Sequence, residues 1–140
     1  MTGTLIVFEK QPWWIPELQR QFLHEDVRIR SCTRLQDLPS LTATDSSLTT
    51  ASQPVVILHL DDQPANCLQF LGQYASRPKW DCPVLVIAST AYQELELTVR
   101  ELGATDFLLK PLAGDRLGQW CRRQLQEPTF SPPTETKIPR

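Results

Sequence analysis

The stretch PVVILHLDDQP, residues 54–64, carries four apolar side chains in a row, Val55–Leu58, then His59, Leu60 and the acids Asp61 and Asp62. A strand with one wet face alternates apolar and polar residues. An unbroken apolar run of this length fits a strand buried on both faces, as in a parallel sheet covered by helices. Three further runs have the same character: Leu5–Phe8 (LIVF), Val84–Ala88 (VLVIA) and the short Phe107–Leu109 (FLL). A fifth, Val27–Cys32 (VRIRSC), alternates apolar with basic residues, which suits an edge strand.

Helical spacing fills the gaps between these runs. Residues 13–23 place Ile15, Leu18 and Phe22 on one stripe, with Pro16 tolerable only in a first turn. Residues 65–75 align Cys67, Leu68, Leu71 and Tyr74. Residues 90–102 align Leu95, Val99 and Leu102 and end at Gly103, a suitable C-terminal cap. Residues 114–126 align Leu117, Cys121 and Leu125, with Asp115 and Arg122/Arg123 matched to the helix dipole. The segment after the second strand is the weak one. Pro39 interrupts a possible helix, and TATDSSLTTASQ favours turns, so a short or irregular second helix and a long surface loop are expected.

Alternating strands and helices imply right-handed crossovers and a doubly wound α/β fold, helices on both faces of a five-stranded parallel sheet. With the alternating strand at an edge, the pattern fits the order 2-1-3-4-5, one of the common doubly wound arrangements, in which the functional crevice lies beyond the carboxyl ends of the strands. The residues placed there are Phe8, Glu9 and Lys10, His59 to Asp62, Ala88 to Thr90, and Lys110.

Size and composition fit this architecture. The chain has 140 residues, 41% hydrophobic and 21% charged, with a formal net charge of -2. One domain over residues 1–126 is expected, and nothing global points to nucleic acid or a membrane surface. No apolar run approaches the roughly 20 residues that span a bilayer, and MTGTLIVFEK lacks the marks of a signal peptide, so a cytoplasmic location is expected. Cys32, Cys67, Cys82 and Cys121 are far apart and read as reduced, mostly buried thiols. Residues 127–140 hold four of the 12 prolines and read as a disordered Pro-rich tail.

GATDFLLKPL, residues 103–112, resembles the last-strand signature of response-regulator receiver domains: Gly-Ala, an acid, an aromatic at Phe107, two apolar residues, then Lys110 and Pro111. PVLVIAST is similar to the family's fourth strand, and LIVFEKQP to its first strand and acidic turn. The resemblance covers roughly residues 4–126. It implies phosphoryl transfer to an aspartate at the end of the third strand, with Mg²⁺ held by carboxylates. It further implies a fifth-strand Lys on the phosphoryl oxygens, a fourth-strand hydroxyl that follows them, and a Lys-Pro bond that is often cis.

The residues depart from that pattern. Lys110 and the switch aromatic Phe107 match, and Glu9 falls where the second metal-binding acid belongs. Phe8 stands in place of the first acid, His59 in place of the phosphoacceptor, and Ala88 in place of the hydroxyl, with Ser89 one residue late. An imidazole forms no acyl phosphate and is a poor Mg²⁺ ligand. The reading is a degenerate receiver, a signalling module rather than an enzyme, with no cofactor. The alternative uses Asp61 or Asp62 as acceptor, with Mg²⁺ on Glu9 and Asp61. On an extended strand, a shift of two residues carries Asp61 roughly 6–7 Å along, away from Lys110. Asp61 and Asp62 are therefore expected as solvated loop or N-cap residues, and Lys110 is expected to pair with Glu9.

In such a module the partner is another signalling protein (a kinase, regulator or output domain) or a second copy. The resemblance places the contact on the fourth helix, fifth strand and fifth helix, where Tyr92, Glu94, Glu96, Arg100, Trp120, Arg122 and Arg123 lie. Trp120 is expected to be half-buried. Of the adjacent Trp13 and Trp14, one is expected to enter the core and the other to lie exposed near the crevice.

Overall fold

The computed structural model describes residues 2–44 and 53–126. Five parallel strands, β1 (Thr2–Phe8), β2 (Asp26–Cys32), β3 (Val55–His59), β4 (Val84–Ala88) and β5 (Asp106–Leu109), form one sheet in the order β2-β1-β3-β4-β5. The helices between them are α1 (Trp14–Gln21), α2 (Leu38–Thr44), α3 (Pro64–Phe70), α4 (Glu96–Glu101) and α5 (Gly114–Gln126). The expected doubly wound architecture and strand order are present.

The unbroken apolar runs are explained by burial on both faces. Successive strand side chains point to opposite sides of a sheet. Leu5, Val7, Val55, Ile57, Leu85 and Ile87 meet α1 and α5 through Trp14, Leu18, Leu117, Trp120 and Cys121. Ile6, Phe8, Val56, Leu58, Val84 and Val86 meet the opposite layer through Leu38, Cys67, Phe70, Leu71 and Val99. β2 lies at an edge, where Arg28 is exposed and Val27 and Ile29 are half-buried, as its alternation predicts. All four cysteines are free and buried, and burial pushes the thiols of Cys67, Cys82 and Cys121 up to about 12.

The helices differ from expectation in detail. Pro39 falls in the first turn of α2 and does not break it, because the missing N–H there has no intrahelical partner to lose. A 3₁₀ turn at Leu35–Asp37 precedes α2, which has 7 residues, so the second helix is short as expected, and residues 45–52, where the long loop is expected, lie outside the described residues. The helix expected over 65–75 ends in a π turn at Leu71–Ala75, and the one expected over 90–102 begins as a 3₁₀ segment, Thr90–Leu95. The tail expected at 127–140 also lies outside the described residues.

Trp120 is buried rather than half-buried, at 4% exposure, and its indole N–H donates to Asp106 Oδ2 at 3.0 Å. Arg122 is likewise committed within the fold. Its guanidinium lies 4.6 Å from the centre of the Phe22 ring and donates to the Gln21 carbonyl, which fastens α5 to α1.

Gly103 ends α4 at φ +115°, and a Cβ built there would lie 2.5 Å from the Ala75 carbonyl oxygen. Both the backbone angle and the close approach require glycine. Gly103→Ala is expected to lower stability by about 1–3 kcal/mol, read from the urea midpoint. An unchanged midpoint would contradict this account of the turn.

Candidate functional site

The register of the sheet brings the strand ends level. Phe8 pairs with Leu58, His59 with Ile87 and Ala88 with Leu109, and the Lys110 N–H donates to the Ala88 carbonyl at 2.8 Å. Polar groups collect just beyond this line, since the strand positions before it in β3 and β4, and from Leu5 to Phe8 in β1, are occupied by the core.

The chain folds back after β3 in a 3₁₀ turn, Leu60–Asp62, tucked in before Pro64 opens α3. The turn replaces the extended step assumed from the sequence, so Asp61 comes to Lys110 instead of leaving it. Asp61 Oδ2 lies 2.8 Å from Lys110 Nζ, and Asp61 Oδ1 accepts the Ser89 backbone N–H at 2.9 Å. Burial pushes the Asp61 carboxyl up, but the Lys110 ammonium and the Ser89 N–H outweigh it and hold the group below its ordinary range. The expected solvated role for Asp61 is therefore corrected. Asp62 is also engaged: its Oδ2 accepts the Lys10 backbone N–H at 2.9 Å and lies 3.1 Å from His59 Nδ1.

His59 completes the cluster. Its Nε2 lies 2.9 Å from Lys110 Nζ, and its Nδ1 faces Asp62. An ammonium only donates, so Nε2 accepts, and the tautomer protonated at Nδ1 satisfies both contacts at once. The result is a chain of contacts, Asp62–His59–Lys110–Asp61–Ser89, bridging the ends of β3, β4 and β5.

Glu9 is not in that chain. The expected Glu9–Lys110 contact is absent, because Glu9 is buried and turned toward α1, where its oxygens accept the N–H groups of Trp14 and Ile15 at 3.0–3.2 Å. Trp13, at the N-cap position, has no side-chain acceptor to offer, so the first amides of the helix take a carboxylate from the preceding turn. Phe8 is fully buried in the core. Ala88 is buried, and Ser89 contributes its backbone amide to Asp61. Phe107, which the resemblance marks as the switch aromatic, is 5% exposed and packed in the core. The Lys110–Pro111 bond is cis, as the resemblance implied.

These residues do not fit Mg²⁺. The ion demands several oxygen ligands in octahedral array. Here Phe8 is a buried apolar side chain with no oxygen to offer, Glu9 is spent on helix amides, and Asp61 is spent on Lys110 and Ser89. Among the described residues no cluster of three or more His, Cys, Asp or Glu is placed to hold a metal ion.

Other solved structures share the architecture. A response regulator from Thermotoga maritima superposes with a TM-score of 0.66 at 17% identity, covering 89% of this chain and 98% of that one. The fold is that of response-regulator receiver domains. A receiver protein from Pseudoalteromonas atlantica gives 0.64 at 16% identity, covering 86% of this chain and 95% of that one. NtrX from Brucella abortus gives 0.69 at 18% identity; 89% of this chain matches 26% of that longer protein. No protein-family model and no curated protein matches the chain.

The depressed Asp61 carboxyl has a pH consequence. A folded-state value below the unfolded one contributes stability above the ordinary carboxylate range of about 4, and that stability is lost as pH falls through the folded value. Asp61→Asn is expected to lower stability by about 1 kcal/mol near neutral pH, since the ion pair is part-exposed. The gap to wild type should narrow as the pH falls below about 4, in urea titrations at a series of pH values. A gap that stays constant with pH would count against the ion pair.

Proposed function

We propose that this protein is a receiver-type signalling module that works without aspartyl phosphorylation, through contacts with another signalling protein. The observation that carries the reading is the occupant of the β3 end. An imidazole stands there, bonded to Lys110 on one side and Asp62 on the other. The ammonium that would meet a phosphoryl group already has the Asp61 carboxylate at 2.8 Å. A pocket whose charges are satisfied from within has no call for an external phosphoryl group.

A second reading has one observation in its favour, the same Asp61 carboxylate within reach of Lys110. As an acceptor, Asp61 would have to release both the ammonium and the Ser89 amide, and among the described residues no group of three or more His, Cys, Asp or Glu is placed to hold a metal ion. The first reading fits the geometry better.

The partner surface on α4, β5 and α5 is narrower than the sequence implied. Trp120 and Arg122 are used inside the fold, and Arg100 is bound to Glu96 and Asp106. Outward on these elements are Leu97 of α4, 67% exposed, and Arg123 of α5, with exposed Glu94 and half-buried Tyr92 in the turn before α4. This mixed apolar and charged strip suits a protein partner, such as a kinase, an output domain or a second copy.

Incubation with acetyl phosphate and Mg²⁺ followed by intact-mass measurement tests the proposal. The wild type is expected to gain no phosphoryl group. A gain of one phosphoryl group that Asp61→Asn abolishes would establish the second reading, and a gain abolished only by His59→Ala would point to the imidazole.

A further inference from the structure

A cavity of about 510 Å³ opens between the β1–α1 turn and the β5–α5 turn, bordered by Lys10, Trp13, Trp14, His59, Lys110 and Pro111 among others. Its place beyond the ends of β1 and β3 is the crevice where an open parallel sheet of this order changes winding direction, a general position for small ligands. Its volume lies in the range of small-molecule sites, roughly 300–1,000 Å³.

The walls are aromatic and apolar. Trp14 is buried, while Trp13 is 71% exposed and meets Trp14 edge-on, with ring centres 6.5 Å apart and planes at 76°. Trp13 and Trp14 also border a second cavity beside Pro16 and Arg20, so the exposed Trp13 indole stands between two openings. A free indole at right angles to a buried one forms a corner that takes a flat ring, stacked on one and edge-on to the other.

The charges set the sign of the ligand. The charged side chains that border the cavity are Lys10, Lys110 and Asp62, and with Asp61 on Lys110 the two acids balance the two lysines, so the sign rests on which charge is left unpaired. Asp62 is spent on the Lys10 backbone N–H and on His59, and Lys110 is engaged by Asp61. The Lys10 ammonium has no hydrogen-bond or ion-pair partner among the described residues.

We infer that this cavity binds a small planar aromatic carboxylate, its ring in the Trp13–Trp14 corner and its charge on the Lys10 ammonium. This goes beyond the proposed function and does not depend on it: it supplies an input that is bound rather than transferred.

The test is calorimetric titration of the full chain with 2-naphthoate and, separately, with neutral 2-naphthalenemethanol. The acid is expected to bind saturably with a Kd of about 0.1–1 mM, roughly 5-fold or more tighter than the alcohol. Trp13→Ala should weaken both by about 10-fold, whereas Lys10→Gln should weaken only the acid, to the level of the alcohol. Both substitutions are at exposed side chains, and unchanged melting temperatures would show the fold intact. Lys79→Gln, a distant exposed lysine, should change nothing. Absence of saturable naphthoate binding overturns the proposal, as does binding indifferent to both Trp13→Ala and Lys10→Gln. Equal affinity for acid and alcohol overturns the assignment of an anion. Phosphoryl uptake by the wild type would defeat the proposed function and leave this result standing.

Discussion

The apolar side chains of Leu5–Phe8 in β1 and of β3 and β4 are taken up by the core on both faces, so polar groups gather where these strands stop. This constraint shapes the molecule. It forces the helices into two layers, sets the strand register, and delivers Glu9, His59, Ser89 and Lys110 to one end of the sheet. Eight apolar side chains of β3 and β4 larger than alanine are at most 1% exposed. At about 1.5–3 kcal/mol each, their gross contribution exceeds that of one part-exposed ion pair of about 1 kcal/mol by more than tenfold. The core thus carries the fold whatever the strand ends hold, and the end of β3 can carry a histidine while the sheet stays unchanged.

Hydrophobic pattern made the architecture legible because period and run length report burial directly. The unbroken runs at 55–58 and 84–88 mark two-sided burial, and the alternation at 27–32 marks the edge. The crevice was legible for the same reason, since it lies wherever the strands end. Side-chain partners within it were not. The place of Asp61 is not legible because an extended strand through Leu60 carries it away from Lys110, whereas the backbone turns there to reach Pro64. Glu9 was misassigned because charge suggested Lys110, while the stronger demand came from helix amides. That demand was present in the sequence: α1 begins at WWIP, with no Ser, Thr, Asp or Asn at Trp13 to cap it. An inventory of unpaired amides would have found the carboxylate five residues upstream.

Trp120 teaches a related lesson. Its neighbour Cys121 is on the buried stripe of α5, which suggested a partly outward indole. Asp106 at the start of β5 gives the indole N–H a partner, and that allows the whole ring to be buried at little polar cost. Composition alone favours such a residue as an interface anchor, but its hydrogen bond assigns it to the interior.

Both borders of the sheet are guarded. β2 displays Arg28 and Arg30 along one margin, and β5 on the other is four residues long, flanked by the Arg100–Asp106 ion pair and by Pro111. Charge, brevity and proline are the features by which sheets resist pairing with foreign strands. Continuous-sheet assembly, whether into a shared dimer sheet or a fibril, is therefore disfavoured at either margin, and association is left to helix surfaces and loop ends.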